Sequence, residues 1–178
     1  MNSKTQNIIF ISSLTGIALA SYFLLRKRGR LYFSSIIQDL KLWNEEQIKT
    51  LHPKVRDNAR RFIQLAENEG IKLRISEGLR SQEDQTKYYL SGTSKVTFGL
   101  HMVGLAIDVY PVKEYSYNSD LNYYPDFDKI KELGVKAGFT RVGDWDKPHY
   151  EMKFGNEYSD LKIKYNNEEI GNDGYLKL

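Results

Sequence analysis

Gly99-Leu100-His101-Met102-Val103-Gly104-Leu105-Ala106-Ile107-Asp108 sets a histidine and an aspartate into an otherwise apolar run, and its reading decides the fold. If His101 and Asp108 serve one site, the chain between them must double back. Seven residues of extended strand would part them by roughly 23 Å. Seven residues of helix would part them by about 10 Å. Gly104 is the natural pivot, because glycine accepts backbone angles that other residues resist. From Gly104 to Tyr110 the pattern reads as a strand stopped by Pro111. Leu105, Ile107 and Val109 share one face and Asp108 takes the other. A carboxylate in so apolar a strand needs a partner, and a metal ion is a good one.

A second stretch, Asp144-Trp145-Asp146-Lys147-Pro148-His149-Tyr150-Glu151, supplies what the first lacks. His149 opens a short strand and is the third candidate ligand. Glu151 shares its face and is placed to orient a ligand from behind. Asp146, just ahead of Pro148, can reach a water at the metal without binding the metal, which is the position of a general base. A histidine alone is more often structural. His52, before Pro53, is read as a helix-entry residue with no role.

Around these stretches the pattern is mixed. A short helix is expected near Ser35–Leu42. Val55, Ala59, Phe62, Ile63 and Ala66 recur at helical spacing after His52-Pro53, with Gly70 as the stop. Ile71, Leu73 and Ile75 alternate with polar residues as in a half-buried strand. Ser81 with Asp84 has the capping-box form and starts a helix that ends by Gly92. Residues 113–124 read as a polar loop, Pro125–Ala137 as a helix closed by Gly138, and Phe139–Val142 and His149–Met152 as short strands. The tail adds a helix near Tyr158–Tyr165 and a strand at Gly174-Tyr175-Leu176. Helices and strands are mixed without βαβ alternation, so the expected class is α+β, a small antiparallel sheet flanked by helices with the metal site on the sheet.

The chain has 178 residues, 40% hydrophobic and 13% aromatic, enough for a real core. It has no cysteine, which excludes disulfides, thiolate metal sites and cysteine nucleophiles. The net charge of +3 is concentrated in residues 1–30, where Lys4, Arg26, Lys27, Arg28 and Arg30 meet no acid. The remainder is nearly balanced and has no nucleic-acid footprint. Ile8 to Leu25 is uncharged, and it is read as an uncleaved single membrane-spanning helix, at the short end for one. A cleaved signal peptide ending near Ala18-Leu19-Ala20 is the rival, and a buried core helix the third reading. The domains are then an anchor with a basic flank over 1–30, a connector over 31–50 and the main domain over 51–178. Localisation would be membrane-anchored and single-pass, in the envelope or periplasm. The basic cluster after the span instead points the domain to the cytoplasm, a conflict the sequence leaves open.

The two stretches resemble the signatures of the D-alanyl-D-alanine metallopeptidase family, in the L-alanyl-D-glutamate endopeptidase branch of phage endolysins. Ser-x-His-x-x-Gly-x-Ala-x-Asp is matched at His101, Gly104, Ala106 and Asp108, with Gly99 in place of serine. Asp-x-Pro-His-x-Glu is matched at Asp146, Pro148, His149 and Glu151, preceded by Gly143-Asp144-Trp145. Arg80, Ser81 and Gln85 match a third element, and Leu51-His52-Pro53 the domain entry. The resemblance covers about residues 50–155. It implies Zn2+ on His101, Asp108 and His149, with Asp146 as catalytic base and Arg80 holding the oxyanion or the substrate. Glu151, Ser81 and Gln85 would stand behind these or meet the substrate. The implied partners are peptidoglycan stem peptides, and a membrane through residues 8–25. Two rivals follow, a D,D-carboxypeptidase on terminal D-Ala-D-Ala and a non-catalytic zinc-containing wall-binding module. Asp146 and Arg80 together speak against the second, because a structural zinc needs neither.

Overall fold

A computed structural model describes residues 38–113, 116–117 and 127–178. Contacts divide the chain into Met1–Leu40 and Lys41–Leu178, and the whole described sheet lies in the second unit. In order, the elements are α1 over residues 38–50, α2 Pro53–Asn68, β1 Leu73–Glu77, α3 Gln82–Leu90, β2 Ala106–Lys113, β3 Ser116–Tyr117, α4 Phe127–Lys136, β4 His149–Glu151 and α5 Tyr158–Asn166. The class is α+β with an antiparallel sheet. The expected membrane-spanning helix does not stand with it. No helix among the described residues is long and apolar enough to cross a membrane. The longest helix with printed bounds, α2, has 16 residues and carries charges along its length, whereas a span needs about 20 apolar ones. Residues 8–25 lie outside the described residues. The membrane-anchored envelope location drawn from them is corrected with the helix.

The core forms where the sequence periods meet. Val55, Ala59, Phe62 and Ala66 lie on one stripe of α2 and are buried. They face Leu73 and Ile75 of β1, Ile107 and Val109 of β2, and Ile130 and Leu133 of α4. Phe62 and Tyr150 meet edge to face at 4.8 Å between centroids. β2 is the long central strand. It pairs with β1 on one side, Ile75 opposite Val109 and Glu77 opposite Asp108, with a bulge at Ser76. Its first half pairs with β4, placing Asp108 opposite His149, and its end pairs with β3. Pro111 does not stop this strand. It sits opposite Leu73, and the ladder resumes when Val112 N–H donates to Lys72 O at 2.8 Å.

Several expected boundaries move for reasons that only tertiary contacts supply. The helix expected to end at Leu42 continues to residue 50. Asn44 in it accepts from Ile75 N–H at 2.9 Å and donates to Leu73 O at 2.8 Å, so it pairs with the outer edge of β1. Phe139–Val142 is not a strand, and Thr140 alone bridges to Glu151. Gly174–Leu176 likewise reduces to a bridge between Leu176 and Ile170. The polar stretch 113–124 contains the short β3.

The doubling-back at Gly104 is as expected. Leu100–Val103 forms one 3-10 turn, and Gly104 ends it in the left-handed region at φ +67°. A Cβ there would lie 2.6 Å from the backbone nitrogen of His52, which donates to Gly104 O at 3.0 Å. Gly104→Ala therefore combines a disfavoured backbone with a backbone clash. It is expected to lower stability by about 1–3 kcal/mol, read as a lower urea midpoint. Metal content should fall as well, because both flanking candidate ligands are displaced.

Candidate metal centre

His101, Asp108 and His149 converge. One ligand atom from each lies within 4.8 Å of the others. The contacts are 3.1 Å from His101 Nε2 to His149 Nδ1, 3.1 Å from His149 Nδ1 to Asp108 Oδ1, and 3.3 Å from His101 Nε2 to Asp108 Oδ1. Three pieces of local structure produce this. The turn ending at Gly104 carries His101. The side chain of Asp108 leaves β2 on the face away from Ile107. The β2–β4 register sets His149 directly across from Asp108.

The remaining ring nitrogens fix which atoms face inward. His101 Nδ1 lies 2.8 Å from the carbonyl of Gly78. A carbonyl only accepts, so Nδ1 carries the hydrogen and Nε2 presents a lone pair. His149 Nε2 lies 3.3 Å from Glu151 Oε2, leaving Nδ1 for the centre. Imidazoles held from behind by an acceptor are the usual arrangement of metal-binding histidines. Two inward nitrogens and one carboxylate oxygen, without thiolate, make a donor set that a divalent cation fits.

The charges of the three residues depend on one another. Burial works against ionised Asp108, but its contacts with the His101 and His149 rings outweigh it and hold the carboxyl well below the usual carboxylate range. Burial likewise works against the imidazolium of His149, yet Asp108 and Glu151 raise its pKa to about 9. With His149 protonated, its Nδ1–H points to His101 Nε2 and Asp108 Oδ1.

Asp146 is close by, and its carbonyl accepts the N–H of His149 at 3.3 Å. Burial pushes its carboxyl up; the positive charge of His149 opposes this and the negative charge of Asp108 adds to it. Arg80 is held rigidly. Its side chain is 12% exposed. Nε donates to Glu77 Oε1 at 2.6 Å, Nη2 to Glu77 Oε2, and Nη1 to Gln85 Oε1 at 2.8 Å. Tyr88 lies under the guanidinium at 4.8 Å. Pairing with Glu77 is thus real, but it is not the exposed surface pair that such a contact usually is. Arg80 N–H also donates to His101 O at 3.1 Å, which ties it to the site.

Gln85 is fully buried, and its NH2 donates to Ser94 Oγ and Val96 O. It braces Arg80 and the following loop. Ser81 caps α3, accepting from Asp84 N–H at 3.0 Å. At Gly99 a Cβ would meet only Gln85 Oε1, at 3.5 Å, so the family serine would fit there. Gly78 joins the site through its carbonyl alone. The Gly before the Leu79-Arg80 turn was visible, but its contact with His101 spans 23 positions and has no local signal.

No family model matches the chain. It is 34% identical over 122 residues to the peptidoglycan L-alanyl-D-glutamate endopeptidase CwlK of Bacillus subtilis, covering 57% of this chain and 73% of that protein. It is 33% identical over 112 residues to the L-alanyl-D-glutamate peptidase of Listeria phage A118, covering 57% of this chain and 39% of the phage protein. The L-Ala D-Glu endopeptidase ChiX of Serratia marcescens shares the fold, with a TM-score of 0.51 at 24% identity over 63% of this chain and 87% of that one. The chain belongs to the D-alanyl-D-alanine metallopeptidase family, in its L-alanyl-D-glutamate endopeptidase branch, and is an enzyme of that class, a peptidoglycan metallopeptidase.

Proposed function

We propose that the chain hydrolyses the L-alanyl-D-glutamyl bond of peptidoglycan stem peptides, with Zn2+ on His101 Nε2, Asp108 Oδ1 and His149 Nδ1. The observation that carries this is the convergence of those three atoms with both outer nitrogens already engaged. Two imidazoles and a carboxylate suit zinc and leave one coordination position open. Zinc, when bound, supplies a Lewis acid for the scissile carbonyl and makes a neighbouring water easier to ionise. Asp146 takes the proton from the attacking water and passes it to the leaving amine. Burial raises its carboxyl towards the range a base needs near neutral pH. Arg80 spends three of its five N–H groups on Glu77 and Gln85, leaving one on each terminal nitrogen for the developing oxyanion or a substrate carboxylate. Glu151 keeps His149 turned to the centre. A D,D-carboxypeptidase would use the same groups. Incubation with purified peptidoglycan and mass analysis of the fragments separates the two: new amino-terminal D-glutamate supports the endopeptidase, and free D-alanine without it overturns this reading.

Metal binding should depend on pH with a definite sign. Below about 9, His149 carries a proton that the metal must displace. Zinc affinity is therefore expected to rise through neutral pH and level off near 9, with about one proton released per metal at pH 7. Calorimetry in buffers of different ionisation enthalpy reads that number directly. Asp146→Asn should keep zinc bound and lower turnover by about 10²–10⁴-fold; loss of zinc in this variant would make Asp146 a ligand instead. Arg80→Lys keeps the charge and loses the planar fork. It should lower kcat by about tenfold or more, while circular dichroism and zinc content stay at wild-type values.

A further inference from the structure

Gly143, Asp144 and Trp145 immediately precede the proposed base and take no part in the hydrolysis just described. Their arrangement is nonetheless fixed. Asp144 is 82% exposed, yet it accepts from Arg141 Nη1 at 2.6 Å and lies 3.8 Å from Lys131 Nζ. Arg141 is itself only 3% exposed and stacks 5.1 Å from the ring of Phe127. The loop is thus pinned from inside the protein. The indole of Trp145 folds back over Gly143. A Cβ at position 143 would lie 2.7 Å from Trp145 Nε1 and 2.9 Å from Cδ1, so a side chain there would push the ring away. Trp145 lies over Gly143, and it is 76% exposed. A large ring left open to water beside a pinned loop residue has the form of a binding anchor. Its Cα lies about 3.8 Å from that of Asp146, so the residue adjoins the proposed base.

We propose that Trp145 binds the sugar that carries the stem peptide, by stacking on the apolar face of the N-acetylmuramyl ring. This rests on the peptidase reading above and names the part of the substrate that the reading leaves open. L-alanine is the first residue of the stem, and a lactyl group joins it to the muramyl ring. Alanine and lactyl together span two residue lengths, about 7 Å from the scissile carbonyl to the sugar. An aromatic ring one residue from the base stands within that reach. On the other side of the bond the substrate continues as D-glutamate, whose free carboxylate has no use for an indole face.

Two measurements test this on the zinc-loaded full chain. The first compares hydrolysis of N-acetylmuramyl-L-alanyl-D-glutamate with that of N-acetyl-L-alanyl-D-glutamate. Trp145→Ala should lower kcat/KM for the sugar-bearing substrate about tenfold more than for the sugar-free one, and Trp145→Phe should recover most of the difference. Equal losses on both, or no loss, overturn the proposal. The second reads binding without turnover. The chain has two tryptophans, and Trp43 is spent on Ile75 O and Arg74 at the outer edge of β1. In a Trp43→Phe, Asp146→Asn background the fluorescence therefore reports Trp145 alone. It should shift with the muramyl compound and not with the acetyl one. A shift in a protein whose wild type cleaves neither compound would uphold the sugar site and sink the peptidase reading. Cleavage without any shift would do the reverse.

Discussion

The pairing of Asp108 with His149 across β2 and β4 is the constraint on which the site depends. Side chains alternate along a strand, so a slip of one residue would turn Asp108 into the core and Ile107 towards the metal. The register is kept by what lies on the opposite face. Ile107 and Tyr150 are fully buried and have no other place to go. Hydrophobic packing on one face thus fixes polar geometry on the other. The bulge at Ser76 extends this order to β1, since it brings Glu77 opposite Asp108 and lets Gly78 offer its carbonyl to His101. One central strand therefore sets a ligand, a second ligand's orientation and the partner of Arg80.

The same centre is an electrostatic problem that the protein solves twice. Asp108, Asp146 and Glu151 crowd their negative charge around two imidazoles. A proton on His149 offsets it, kept in place against burial by Asp108 and Glu151. A divalent cation offsets it more completely and releases the proton. Arg80 is paired with Glu77 and also feels the charge of Asp108.

Much of this was readable in the sequence. The apolar stripe of α2 and the alternation at Leu73 and Ile75 are local patterns, and the helix and strand follow them. The three converging residues were readable from spacing joined to family signatures, with Gly104 as the pivot. What escaped depended on contacts far along the chain. Pro111 reads as a strand end because its missing N–H is visible locally, while the rescue by Val112 and Lys72 is not. Asn44 reads as a loop residue because its use, pairing with β1, lies 29 and 31 positions away. Gln85 reads as a residue behind the site or at the substrate, and its full burial shows only in the packing. The membrane-spanning helix rested on the apolar composition of residues 8–25 alone, with no second signal to support it.

Asn44 and Trp43 have one more effect. β1 lies at the rim of the sheet, where a row of unused amide and carbonyl groups would invite a strand from another molecule. Asn44 takes Leu73 O and Ile75 N–H, and the indole of Trp43 takes Ile75 O at 2.6 Å. Two side chains of a helix thereby imitate an adjoining strand and end the sheet. A shortened protein beginning at Leu51 would keep every proposed ligand and the base, yet it would carry an adhesive border. Its weakness would be self-association, not loss of chemistry.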